Sequence, residues 1–300
     1  MDKENKIIII SLLSALLIVL CVFAVEMKNT EKKAYQGISE IGEDQNTEVE
    51  NQDNSQFIDM SLAKDIEAYF QENGIDHEKV AYCITDLEHN IKYSMNEKDE
   101  FIAASIYKLP LAMLYYDKVN EGEYTLDSTF TYSGYMHEDA GVISSDYGIG
   151  SQVPLSDLLN DLIIYSDNDA GHILYENLGG WKEYKEAMTK YTDTISENYY
   201  TMDNVTTANT MNDVVTYLYD HKEDYKGLIK NMEEAEPGEY LDRDTQLSMP
   251  QKYGMYDSAL NSVGFVECNT SYSIVVLTSL GDKGADVMAN INRIAYEHFK

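Results

Sequence analysis

The chain has 300 residues, and its 22 Lys plus Arg stand against 53 Asp plus Glu, a formal net charge of -31. That balance excludes nucleic acid and anionic lipid headgroups as partners, and it favours solubility. The histidines form no H-E-x-x-H or other ligand spacing and no G-x-x-x-x-G-K phosphate loop is present, so neither a metal nor a nucleotide cofactor is expected.

Ile7 to Val25, "IIIISLLSALLIVLCVFAV", carries no charge. At about 1.5 Å per residue such a run spans roughly the 30 Å hydrocarbon core of a bilayer. Residues 1–25 therefore read as a single-pass membrane anchor or a signal segment. Residues 26–58 are polar and acidic, with too little apolar content to fold, and read as a disordered tether. Its mean reach is about 30 Å, enough to hold a domain clear of a membrane. The folded domain is then residues 59–300. Of the three cysteines, Cys21 lies in the apolar segment, while Cys83 and Cys268 sit in apolar strand-like runs as buried thiols, so no disulfide framework is expected.

From residue 61 the pattern gives a helix, "SLAKDIEAYFQENG", then two strands, "KVAYCITDL" and "IKYSMN", that read as a hairpin. Ser61 reads as the N-cap of that helix, with Lys64 a solvated first-turn charge. A long middle region is helical: "SIYKLPLAMLYYDKV", "LSDLLNDLIIYS", "DAGHILYENLGG", "WKEYKEAMTKY" and "TMNDVVTYLYDH". Two strand-like runs, "ALNSVGFVEC" and "YSIVVLTSL", and an amphipathic helix, "GADVMANINRIAYEHF", close the chain. Strands and a helix at both ends imply an α+β fold. One antiparallel sheet with flanking helices is built from both ends of the chain, and an all-helical lobe is inserted between them.

Three short motifs fall on this frame. "SIYK" places Lys108 three residues after Ser105, one helical turn away, where its amine reaches the hydroxyl and serves as its base. A chain of this length contains about one S-x-x-K by accident, and "SLAK" at Ser61 is a second. "IIYSDNDAG" then supplies Ser166-Asp167-Asn168 after an apolar helical run, and "MPQKYGMY" supplies Lys252-Tyr253-Gly254 at the first strand of the C-terminal group. In this order the three motifs resemble those of the class A β-lactamases and their penicillin-binding relatives, over roughly residues 61 to 300. The order also demotes Ser61, which lies in front of the first helix.

The resemblance implies a role for each residue. Ser105 is the nucleophile, Lys108 its proton acceptor, and Ser166 the relay toward the leaving nitrogen. Asn168 holds the substrate's side-chain amide, and Lys252 places a positive charge by its carboxylate. Backbone N–H groups of Ser105 and Met255 form the oxyanion hole, and Gly254 lets its strand approach closely. Asp167 is structural. The implied protein is a monomeric extracytoplasmic serine hydrolase held to the cell membrane, or secreted if the signal segment is cleaved. It forms an acyl-enzyme on β-lactams or related amides; the alternatives are a D,D-peptidase acting on cell-wall peptides and a β-lactam sensor without turnover. Three features depart from the expected pattern. Tyr253 stands where the family has Thr or Ser, and "TISENYYTMDN" offers Glu197 and Asn204 but no E-x-x-L-N. Pro110 is too deep for a helix that starts at Ser105, which requires a kink or a late start.

Overall fold

In a computed structural model, the described residues are 60–134, 141–245 and 247–300, so the apolar segment and tether read at residues 1–58 lie outside them. No helix among the described residues is long and apolar enough to cross a membrane. In chain order the elements are α1 (Ser61–Asn73), β1 (Val80–Asp86), β2 (Ile91–Met95), β3 (Phe101–Ile102), α2 (Lys108–Asn120), β4 (Thr129–Thr131), α3 (Val142–Asp146), β5 (Gln152–Pro154), α4 (Leu155–Ile164), α5 (Asn168–Asn177), α6 (Trp181–Met188), β6 (Val205–Thr206), α7 (Ala208–Asp220), α8 (Lys226–Glu233), β7 (Gln251–Tyr256), β8 (Ala259–Val266), β9 (Tyr272–Thr278) and α9 (Lys283–Phe299).

Five strands form the main sheet, in the order β2-β1-β9-β8-β7 and antiparallel throughout. Both chain ends thus meet in one sheet, as the sequence pattern implies. Every residue of β1, β8 and β9 is buried. Because successive side chains alternate faces, the strands feed two cores. Val80, Tyr82, Ile84, Ile274 and Val276 pack with Leu62, Ile66, Ile291 and Phe299 of the terminal helices. Ala81, Cys83, Val275 and Leu277 face the other way, into the helical lobe with Leu111, Leu162 and Val214. At about 25 cal/mol per Å² of apolar surface, both faces of the sheet contribute to stability.

Three local readings change. Ser61 is the first helical residue rather than the cap, and its hydroxyl meets His298 Nδ1 at 3.3 Å. Cys268 lies just past β8, half-buried, and donates to the Thr270 carbonyl. Residues 104–107 form a short 3-10 turn before α2 starts at Lys108, so Pro110 is the third residue of the helix. In the first turn a missing N–H costs nothing, because those groups have no intrahelical partner. The late start, not a kink, accommodates the proline.

The sheet holds this turn directly. Asn261 on β8 is fully buried; its Nδ2 donates to the carbonyls of Ile102 (2.8 Å) and Ala103 (3.1 Å), and its Oδ1 accepts from the Thr278 N–H (3.0 Å). Asn261→Ala removes one hydrogen bond from each of these three groups. It is expected to lower unfolding stability by about 3 kcal/mol, measured as a shift of the urea midpoint with an unchanged slope.

Candidate functional site

Ser105 lines a cleft of about 540 Å³ together with Ile102, Asn168, Asn204 and Met255. Three supports fix its backbone. Asn261 holds the segment before it, as described above. Opposite, Asn204 donates from Nδ2 to the Ala104 carbonyl (2.8 Å), and its own carbonyl accepts from the Ala103 N–H (2.8 Å). From below, Gly254 on β7 lies so close that a Cβ there would stand 2.6 Å from the Ser105 nitrogen and 2.8 Å from that of Ile106. The expected close approach of this strand is therefore present, and only glycine permits it. Ala104 takes a left-handed φ of 50°, which for a residue with a Cβ costs about 1–2 kcal/mol and turns the chain sharply just before the serine.

Lys108 has no solvent exposure. Its Nζ donates to the Ser166 carbonyl (2.5 Å) and to Asn168 Oδ1 (2.5 Å), with Ser166 Oγ at 3.4 Å. The S-x-x-K and S-D-N motifs, 58 and 60 residues apart at these contacts, thus meet through one ammonium group. Among the described residues no hydrogen bond joins Lys108 Nζ to Ser105 Oγ, so the direct contact expected from the spacing is not made. Lys108 begins its helix while Ser105 belongs to the preceding 3-10 turn, and the Lys108 amine is drawn instead to Ser166 and Asn168. Ser166 itself is left-handed, φ 56°. Asp167 behind it is buried, caps α5 by accepting from the Ala170 N–H (2.8 Å), and accepts from the Ile143 N–H (3.1 Å), matching its structural reading.

Lys252 is also fully buried and does not line the cleft. Its Nζ donates to the Tyr253 carbonyl (2.9 Å) and stands 4.0 Å from the centre of the Tyr253 ring, which stacks on Tyr240. Burial, and then the charge of Lys108, push its pKa well below the ordinary lysine value, with Glu236 pulling weakly the other way.

The loop before β6 forms one wall of the cleft and is held by a third buried ammonium. Lys185 on α6 donates to the carbonyls of Tyr199 (2.6 Å), Thr201 (2.9 Å) and Asp203 (2.6 Å), between the rings of Trp181 and Tyr199. The same loop places Met202, Asp203 and Asn204 at the cleft, whereas Glu197 is exposed and does not line it. Asn261, Lys185 and Asp203 escaped the sequence reading. Asn261 is a polar residue in an apolar strand, and Lys185 shares a helix face with Trp181 and Met188; both are visible anomalies of pattern. Asp203 left no such signal. Among the described residues, no group of His, Cys, Asp and Glu is arranged to hold a metal ion.

With this geometry in view, the comparisons are consistent in fold. The sequence model of the beta-lactamase enzyme family matches residues 61–299. Similar solved structures include a β-lactamase from Chitinophaga pinensis, 20% identical with a TM-score of 0.67 over 80% of this chain and 99% of that one. An ancestral class A β-lactamase is 18% identical with a TM-score of 0.69, over 80% and 100%. PBP-A is 17% identical with a TM-score of 0.67, over 78% and 96%, and a mutant of it is solved as an acyl-enzyme complex with penicillin G. No curated protein matches the chain.

Two outcomes follow from the contacts. Gly254→Ala must push β7 away from the serine turn, and is expected to cost about 1–3 kcal/mol by overpacking, read from thermal unfolding. Lys252→Met tests the depressed lysine. Between the lowered value and the ordinary 10.5, the unfolded chain binds more protons than the fold, so this group makes stability rise with pH across that window. The Met variant should melt higher than the parent at neutral pH and lose that rise; an unchanged profile would show that the charge is not destabilising.

Proposed function

As a member of the beta-lactamase enzyme family the chain is a serine hydrolase, and we propose that it works by acylation of Ser105, on β-lactams or related amides. We further propose that it acts outside the cytoplasm, tethered by the apolar segment Ile7 to Val25, or secreted if that segment is removed. The uncharged run and the acidic linker after it support this placement. The observation that carries the catalytic reading is the junction at Lys108. One buried amine touches both Ser166 and Asn168, one helix start away from a serine at the cleft.

In this reading Ser105 Oγ attacks the substrate carbonyl while its proton passes to Lys108, which must first be in its neutral form. The gap between them closes as substrate binds, as catalytic hydrogen bonds commonly do. Ser166, within reach of Lys108, hands a proton to the leaving nitrogen, since a hydroxyl both donates and accepts. The backbone N–H groups of Ser105 and Met255, held together by the close approach at Gly254, receive the developing oxyanion. Asn168 Oδ1 is engaged by Lys108, which fixes its amide at the cleft, where it would orient a substrate amide.

Release of the acyl group needs a held base for the attacking water. Glu197 is absent from the cleft, and Asp203, which lines it, has a carboxylate that accepts no hydrogen bond among the described residues. This favours slow release, as in a penicillin-binding protein that is acylated faster than it turns over. Loss of a positioned base costs about 10²- to 10⁴-fold. A chromogenic cephalosporin should therefore give a burst of one equivalent and then a slow steady state. Ser105→Ala should abolish the burst and the covalent adduct, and Ser61→Ala should keep both. Rapid turnover without a burst, stopped by Glu197→Gln, would contradict the slow release.

A further inference from the structure

The cleft wall has a chemistry that the acylation machinery does not use. Among the described residues, nine large hydrophobic side chains are prominently exposed, and four of them, Ile102, Met202, Met255 and Tyr256, line the cleft of Ser105. Met202 is 78% and Tyr256 66% exposed. Single exposed apolar residues are ordinary on a protein surface, but a cluster around a concave site marks a binding wall. The two methionines, unbranched and polarizable, suit a bulky group of variable shape. Asp203 is the one charged residue among the described residues lining the cleft. The lysines nearby offer it no exposed counter-charge, since Lys108 and Lys252 have no solvent exposure and donate to protein oxygens. An anionic group in this cleft would meet Asp203 in a protein whose whole charge is -31.

Resting on the acylation of Ser105, we infer that the cleft selects acyl groups with a large apolar side chain, favours those that also carry a positive charge, and rejects those that carry a carboxylate. The reacting step is the same for all of them. The Ser105 Oγ–carbonyl bond forms, the carbonyl–nitrogen bond breaks, and the serine's proton ends on the leaving nitrogen. Only the side chain against the wall differs. An exposed ion pair contributes up to about fivefold and a like-charge contact opposes by about twofold, so cationic and anionic side chains should differ by up to about tenfold.

Four penicillins with one nucleus test this on the full chain. 6-Aminopenicillanic acid lacks the acyl side chain, benzylpenicillin has a neutral aryl group, ampicillin adds an ammonium, and carbenicillin adds a carboxylate. Second-order rates of Ser105 acylation are followed by intact mass, at a pH where the ampicillin amine holds its proton. The expected order is ampicillin, benzylpenicillin, carbenicillin, with 6-aminopenicillanic acid well below benzylpenicillin. Asp203→Asn should collapse the ampicillin-to-carbenicillin ratio toward one, and added salt should shrink it in the parent. The pair Met202→Ser and Tyr256→Ser should slow benzylpenicillin toward the rate of 6-aminopenicillanic acid. Equal rates for all four, a preference for carbenicillin, or a ratio untouched by Asp203→Asn would overturn the inference while leaving acylation of Ser105 standing. Failure of every compound to label Ser105 would overturn both.

Discussion

The site depends on one constraint: the backbone of the turn at residues 103–105 is gripped from three directions by groups distant in sequence. Asn261 binds it from the sheet, Asn204 from the loop, and the Cα of Gly254 meets it at a separation that leaves no room for a side chain. A serine hydroxyl alone is a weak nucleophile. The acylation proposed for it uses its own N–H together with that of Met255, and the close contact at Gly254 holds their two segments against each other. The left-handed Ala104 is tolerated because these contacts over-determine it.

A second theme is the handling of buried positive charge in a strongly acidic protein. Lys185 and Lys252 are both buried and both donate to backbone carbonyls. Carbonyl dipoles satisfy an ammonium without supplying a full counter-charge, so each lysine pulls on the backbone that surrounds it. At Lys185 this draws three carbonyls of the loop onto α6 and thereby places Asn204 against the serine turn. At Lys252 the outcome is an amine held away from the surface of the cleft. Tyr253 supplies both the carbonyl and the ring that hold it there, so the substitution of Tyr for a small hydroxyl residue changes the neighbourhood of the lysine as well as the chemistry of the strand.

Much of the fold was legible because it rests on periodicity. The long amphipathic helices, the alternating strands of both chain ends and the order of the three motifs are all local patterns, and the sheet built from both ends followed from them. The 3-10 turn at Ala104, the left-handed Ser166 and the short strands β3 to β6 were not legible. Their conformations are imposed by contacts between segments apart in the chain, such as Thr129 with Pro154, Lys108 with Ser166 and Asn204 with Ala104, rather than by propensity. Pro110 did carry a local signal, since it required a kink or a late start of the helix. The helix Lys226–Glu233 was overlooked because its apolar stripe, with Leu228 and Met232 buried, is short and flanked by charge.

In the proposed acylation the close approach of β7 to the serine turn makes a pocket of two N–H donors that receives the acyl oxygen. A crystal structure of the acyl-enzyme formed with benzylpenicillin tests it most directly. The ester should lie on Ser105 Oγ, with its carbonyl oxygen accepting hydrogen bonds of about 2.7–3.1 Å from the N–H groups of Ser105 and Met255. An adduct on another residue, or an ester on Ser105 whose carbonyl oxygen points away from both donors, would contradict it.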